Sequence, residues 1–443
     1  IDNYSQIVNN YINTGDNGHY NISIQNSNYI KVFYNTTILK ANLRSNYNLK
    51  IASGCSFVNV INNSLVNEMG GYVIWVEDNE SIELCDYNNY YNPASVFANW
   101  EGLCFDLHEL RAASSQNIHS TAAHPHFLSD GSYVPQSAWL DNTGLSISVN
   151  KDIEGNLRNP ETPDPGCIEF VSPPHASPPI HGIKTIGIGG DYSSLNEAFS
   201  DLFLRGISDS VHLQLITGIH NEQCLIKPIP GASADNPIII ESQSSDSADV
   251  AIQFFAPDRL HNYVFNLFGA SHLKFRNLTI KALNPSFATL FRFTGQNDSL
   301  EFMDNNFIGV PRDGASSEQI LFYSSELYFK EMRILNNQFN YGTYVICFNN
   351  SDAKYNPELL LLNNNYVKAS GYNFLLASGL HGLEAKNNRV TTNGIGIRAS
   401  KIDRYLKIEG NIFELNKLGG LQLISATLPP ENPGLIFNNI MFS

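Results

Sequence analysis

The sequence predicts an all-β chain wound as a right-handed parallel β-helix, with two such units in series, on three observations. An Asn-Asn step returns about every 23 to 31 residues. A second short apolar strand falls between successive steps, and no helical periodicity fills the intervals.

The repeat is plainest in the C-terminal half. Phe275-Arg276-Asn277-Leu278-Thr279-Ile280 is followed by Met303-Asp304-Asn305-Asn306-Phe307-Ile308 and then by five more phrases of the same kind. Taking Asn277, Asn306, Asn337, Asn364, Asn388, Asn411 and Asn439 as equivalent gives steps of 29, 31, 27, 24, 23 and 28 residues. The second strands are expected at 290–293, 320–323, 344–348, 374–377, 395–398 and 421–424. Short strands at this period, stacked at about 4.8 Å per rung, build a coil of parallel sheets. Asn suits its corners because it tolerates left-handed backbone. Its amide also donates to and accepts from the Asn one rung away, which makes a ladder.

The first hundred residues repeat the theme, with Asn10, Asn35 and Asn63 as ladder members. Asn is counted 21 times in residues 1–99, 8 times in 100–260 and 25 times in 261–443, so two Asn-rich coils flank something different. The expected organisation is therefore the last rungs of a first β-helix at 1–85 and a closing module at 86–170. A Pro-rich linker follows at 171–183, then a second β-helix at 184–443. Residues 1–4 and 435–442 both read as the inside of a repeat, which predicts a longer polypeptide.

Within 86–170 the period is lost. Asp86-Tyr87-Asn88-Asn89-Tyr90-Tyr91-Asn92 leads to Trp100 and a short helix at 106–113. Next come His119-Ser120, Pro125-His126-Phe127, Asp152-Ile153-Glu154-Gly155-Asn156-Leu157-Arg158 and Pro163-Asp164-Pro165-Gly166-Cys167-Ile168-Glu169-Phe170. These motifs resemble the closing module of secreted right-handed β-helix surface proteins of Bacteroidota, which precedes a cell-surface anchor. The match covers about 85 residues. It departs in one respect, because here another unit follows the module.

The run 172–180, rich in proline, predicts an extended linker. After it, Lys184-Thr185-Ile186-Gly187-Ile188-Gly189-Gly190-Asp191-Tyr192 resembles the opening of many β-helices, pectin methylesterases included. That resemblance implies a first strand and a capping helix. Residues 195–204 fit the helix, with Ser193 or Ser194 as N-cap and Gly206 as its end. First strands are then expected at 211–216, 225–229, 238–241 and 251–255.

Charged residues make up 16% of the chain against 42% hydrophobic, a folded rather than disordered composition. The net charge of −15 argues against a nucleic-acid partner and allows calcium, though no cofactor is required by any motif. No apolar run reaches the ~20 residues of a membrane helix. Cys55, Cys85, Cys104, Cys167, Cys224 and Cys347 lack zinc-site spacing, and a disulfide among the first three is open if the protein is exported.

No catalytic residues are assigned. His381-Gly382 and Arg398 stand without the Asp pairs of a glycan hydrolase, and His381 reads as a turn residue. Arg276, Lys281, Arg312 and Arg333, with Asp304 and Asp313, are the best positions for a lyase, and a solvated salt-bridged face accounts for them more simply. His124-Pro125-His126 reads as packing rather than a metal site, and Tyr87, Tyr90, Tyr91, Tyr341 and Tyr355 are candidates for stacking on sugars. The expected function is a non-catalytic extracellular or cell-surface structural protein or adhesin. Its partners would be further copies of itself in a fibre, and surface glycans. The alternative is a polysaccharide-binding or polysaccharide-degrading β-helix.

Overall fold

Asn-rich corners and alternating apolar strands produce the coil the sequence predicts, a right-handed parallel β-helix. The computed structural model describes residues 4–443 except 16, 17, 41, 42, 44, 94, 95, 130, 313, 326 and 351–355. Asp313, Tyr355 and residues 1–3 thus lie outside the described residues. The chain divides into two compact units, Ile1–Pro179 with Leu202–Gly206, and Ile180–Asp201 with Ile207–Ser443. No helix among the described residues is long and apolar enough to cross a membrane.

The first unit has three sheets. Sheet A holds Ser5–Val8, Asn28–Phe33, Ser56–Ile61 and Ile82–Asp86, and sheet B holds Tyr11–Asn13, Thr36–Leu39, Ser64–Asn67 and Asn89–Tyr91. Sheet C runs from Tyr20–Ile24 through Tyr47–Ile51 and Tyr72–Val76 to Ala98–Trp100, where Leu103–Cys104 closes it antiparallel. The rungs thus continue past residue 85 to Trp100, which corrects the expected boundary. Helix α1, Leu107–Ser114, follows, with the Asp106 carboxylate accepting from the Glu109 N–H.

Each Asn-Asn step divides two tasks between its residues. The first sits at the corner in left-handed backbone: Asn9, Asn62, Asn277, Asn336, Asn364, Asn387 and Asn438 all have φ between 52° and 58°. The second makes the ladder. Asn63 donates from its backbone N–H and from Nδ2 to Asn88 Oδ1, both at 2.9 Å, and its own Oδ1 receives the same pair from Asn35. The bonded columns are Asn10, Asn35, Asn63 and Asn88 in one unit, and Asn305, Asn337, Asn365, Asn388, Asn411 and Asn439 in the other. Three expected members are therefore corrected. Asn277 and Asn364 are corner residues, and Asn306 opens the next strand. At the place after Asn277 stands Leu278, whose N–H ends the column on Asn305 Oδ1 at 3.1 Å.

The stretch expected to be a closing module folds back along the corner of the first unit. Asn62 exchanges bonds with the Leu145 backbone (2.7 and 2.8 Å), Gly166 N–H reaches Asn62 O, and Cys167 N–H reaches Thr36 Oγ1. Arg158 is the centre of this contact. Its buried guanidinium donates to Asn9 Oδ1, Gly166 O, Asp164 O and Glu169 Oε2, and lies 3.8 Å from the Tyr34 ring centroid.

Beside it, burial pushes the Asp164 carboxyl up to about 7, partly offset by N–H bonds from Phe170 and Asn142 and reinforced by Glu169 and Asp141. A carboxyl raised on folding favours the native state when protonated, so its contribution is present at low pH and lost as pH rises toward 7. All three tryptophans, Trp75, Trp100 and Trp139, lie in this unit, so their fluorescence follows its unfolding. We expect its melting temperature to rise as pH falls from 8 to 5, and Asp164→Asn to flatten that slope.

All six cysteines are buried free thiols, so the disulfide left open among Cys55, Cys85 and Cys104 is not formed. Burial pushes the thiols of Cys85 and Cys104 up to about 12, which makes them unreactive packing groups.

The second unit begins at Ile180–Ile186, four residues before the expected start, which shortens the linker. Sheet D starts there and runs through Ile207–Leu215, Ile238–Ser242 and further strands to Leu435–Phe437; sheet E runs from Gly218–Asn221 to Ile440–Phe442, and sheet F from Cys224–Ile226 to Leu421–Ile424. The expected second strands all belong to sheet F. Helix α2, Leu195–Arg205, is capped by Ser194 Oγ on the Glu197 N–H and by Glu222, whose carboxylate accepts from Leu195 and Asn196 N–H at 3.0 Å. Gly206, at φ 66°, ends it. Inside the coil identical rings stack from rung to rung, Phe265 on Phe291 at 5.1 Å and Phe275 on Phe302 at 5.3 Å.

Candidate functional site

Successive side chains on a strand point to opposite faces, so parallel register lines up the outward residues of each sheet in rows. On sheet D these rows hold Glu241, Lys274, Arg276, Glu301, Glu331, Arg333, Glu384, Lys386, Lys407 and Glu409, and most of them pair. Arg276 bonds Glu301 at 2.6 Å, Arg333 bonds Glu331 at 2.6 Å, Lys386 meets Glu384 at 2.8 Å and Lys407 meets Glu409 at 3.0 Å. The structure thus brings Arg276 and Arg333 to one face but commits both to carboxylates. Asp304 is a corner residue at φ 57°, one position past Met303, the register partner of Arg276.

Sheet F is different. Among its described strands no Asp or Glu occurs. One outward row runs Asn266, Arg292, Tyr323, Cys347, Leu376, Arg398 and Gln422. Arg292 and Arg398 stand four strands apart in that row, about 19 Å at the usual strand spacing. Both are half-buried, and among the described residues neither has an ion-pair partner. Tyr263 and Tyr344 lie close enough to feel them. Burial pushes both phenols up, and the guanidinium beside each, Arg292 and Arg398 respectively, pulls back.

Sheet E carries the same sign. Lys281, Ile308, Asn340 and Lys368 form one row, with Thr279, Asn306, Gln338, Tyr366 and Arg389 in the next. Glu414, near the far end, is the one acid among its described strands, and it accepts from Thr391 Oγ1 at 3.1 Å. Sheets E and F of an acidic protein thus present five cations, Lys281, Lys368, Arg389, Arg292 and Arg398, for which the described residues offer no ion-pair partner. Half-burying a guanidinium without a partner costs free energy, which an incoming anion would recover.

Other expected residues fall elsewhere. His381 Nδ1 pairs with Asp403 at 2.6 Å on a connecting turn. Arg312 lies on a loop after sheet E. His124 Nδ1 accepts the His126 N–H at 3.0 Å, and the two rings pack edge to face. Among the described residues no group of three or more His, Cys, Asp or Glu side chains gathers. Tyr90 and Tyr91 are buried, Tyr87 stacks on His119, and Tyr341 is exposed at a left-handed turn. Sequence reasoning missed Arg292 and Tyr323. The signal that marks them is legible, because each interval assigned to a second strand lacks acidic residues.

No family model matches the chain, and no curated protein matches it. Among solved structures, a pectin methylesterase from Aspergillus niger in deglycosylated form is 13% identical, with 60% of this chain covering 87% of that one at a TM-score of 0.31. The PL6 family alginate lyase AlyGC is 11% identical, with 99% of this chain covering 70% of that one at a TM-score of 0.29.

Proposed function

We propose that the second unit is an extracellular polysaccharide-binding β-helix that holds an acidic glycan along the outer faces of sheets E and F. The observation that carries this reading is the segregation of charge. Among the described strands of the second unit the carboxylates sit almost wholly on sheet D, where Glu301, Glu331, Glu384 and Glu409 are ion-paired, while Arg292 and Arg398 on sheet F have no ion-pair partner among the described residues. A guanidinium is a planar fork that matches a carboxylate, and Tyr323, between the two in register, offers a ring for a sugar face. Lys281, Lys368 and Arg389 extend the positive field across sheet E. The proposed role is binding without bond cleavage.

The test is affinity electrophoresis in gels containing polygalacturonate or neutral starch. Polygalacturonate is expected to retard the protein, more strongly at low than at high salt. The double variant R292A/R398A is expected to weaken that retardation at least tenfold. Absence of retardation at low salt, or an unchanged double variant, would refute the reading. Release of oligosaccharides on incubation would overturn its non-catalytic part.

A further inference from the structure

The outer face of sheet A carries three aromatic residues that the coil's interior does not use. Ser5 pairs with Ile30, and Ile30 with Val58, so Tyr4, Tyr29 and Phe57 occupy one position on three successive rungs. The Tyr29 and Phe57 rings are parallel within 3° with centroids 4.8 Å apart, and Tyr4 meets Tyr29 edge-on at 5.4 Å. Carbon atoms in contact lie about 3.5–4.0 Å apart, so these rings have slid past one another like tiles, leaving part of each face open. Tyr29 is 45% exposed and Phe57 46%.

Both residues are also strained. Their φ angles are 58° and 54°, in the left-handed region where a bulky side chain is an outlier. Neighbouring corners put Asn26 and Gly54 in that region instead. An aromatic ring held on unfavourable backbone and left half in water adds little to stability, which points to a task outside the fold. The rim is polar and close to neutral. Glu83 Oε2 accepts from Tyr4 OH at 2.7 Å and from Asn59 Nδ2 at 2.6 Å, and Lys31 Nζ lies 4.9 Å from the Tyr4 ring centroid.

We infer that the Tyr4, Tyr29 and Phe57 column, with Asn59 and Glu83, is a binding site for neutral pyranose glycans. The C–H face of a sugar packs on the open parts of the rings, and its hydroxyls donate to Glu83 and accept from Asn59. Hydrogen bonds from Tyr4 and Asn59 hold the Glu83 carboxyl below its usual range, so it is ionised at neutral pH and repels uronates. The site belongs to the first unit and does not depend on the reading of the second.

The experiment uses the full chain in gels containing neutral glycans: hydroxyethyl cellulose, xylan backbone stripped of acidic side groups, and galactan. At least one should retard the wild type, and Y29N/F57N should abolish that retardation. Because Asn accepts left-handed backbone, the same variant is expected to keep or raise the melting temperature read by tryptophan fluorescence. R292A/R398A should leave neutral-glycan retardation unchanged, which separates this site from the acidic-glycan face. The inference is overturned if no neutral glycan retards the wild type, or if Y29N/F57N is retarded equally. It is also overturned if the double variant melts lower and instead loses self-association in sedimentation, which would make the column a contact between copies.

Discussion

Replacing Asn337 with alanine is expected to destabilise the second unit by about 3–5 kcal/mol, because it orphans buried groups on two neighbouring rungs. Asn337 Nδ2 donates to Phe302 O at 2.9 Å and to Asn365 Oδ1 at 3.2 Å, and its Oδ1 accepts from Asn305 N–H at 3.0 Å and Asn305 Nδ2 at 3.1 Å. Alanine removes all four bonds in a place closed to water, so the desolvation cost of the stranded N–H and C=O is not recovered. The control is one residue earlier. Asn336 is exposed at φ 57°, and Gly410 already fills the matching corner at φ 65°. Asn336→Gly is therefore expected to change stability by no more than about 0.5 kcal/mol. Calorimetry of the unfolding transition distinguishes the two.

Arg158→Met is the counterpart in the first unit. The arginine side chain is 2% exposed and satisfies Asn9 Oδ1, two backbone carbonyls and the Glu169 carboxylate at once. Its removal leaves the largely buried Glu169 carboxylate without its counter-charge, held among the described residues only by the N–H groups of Asn159 and Asp164, a loss of about 3–5 kcal/mol, and forfeits the contact with Tyr34. Arg158→Lys is expected to recover less than half, since an ammonium cannot reach four acceptors in one plane. The melting temperature followed by tryptophan fluorescence measures both variants. Equal stability of Arg158→Met and wild type would show that the closing module is held by its apolar contacts instead.

The fold was legible because a period of two along each strand and a period of one rung between Asn-Asn steps leave a strong pattern. Both helices were legible for a related reason, since Asp106 and Ser194 cap them through side chains that act locally. What the pattern does not carry is which Asn of a run bends the chain and which makes the ladder. In Asp304-Asn305-Asn306 and in Asn363-Asn364-Asn365 each residue type suits either place, and the choice depends on register with the rung on either side. The first coil's extension to Trp100 was hidden because its last rung breaks the spacing. The candidate face was half legible. A strand free of acids is visible in sequence, but only register shows that Arg292 and Arg398 share one row.

The closing module's return to the first corner has a consequence for how the chain acquires its shape. Most contacts in the coil join neighbours about one repeat apart, so rungs can add one after another as the chain emerges. The Asn9 to Arg158 bond spans 149 positions. At synthesis rates of about 5–20 residues per second, the arginine arrives roughly 7–30 s after its partner. Through that interval the early rungs carry an uncovered seam, and the slow, non-local step of closing it falls last. The first unit is thus zipped by its own latecomer, and its order of assembly is written into the distance between two residues.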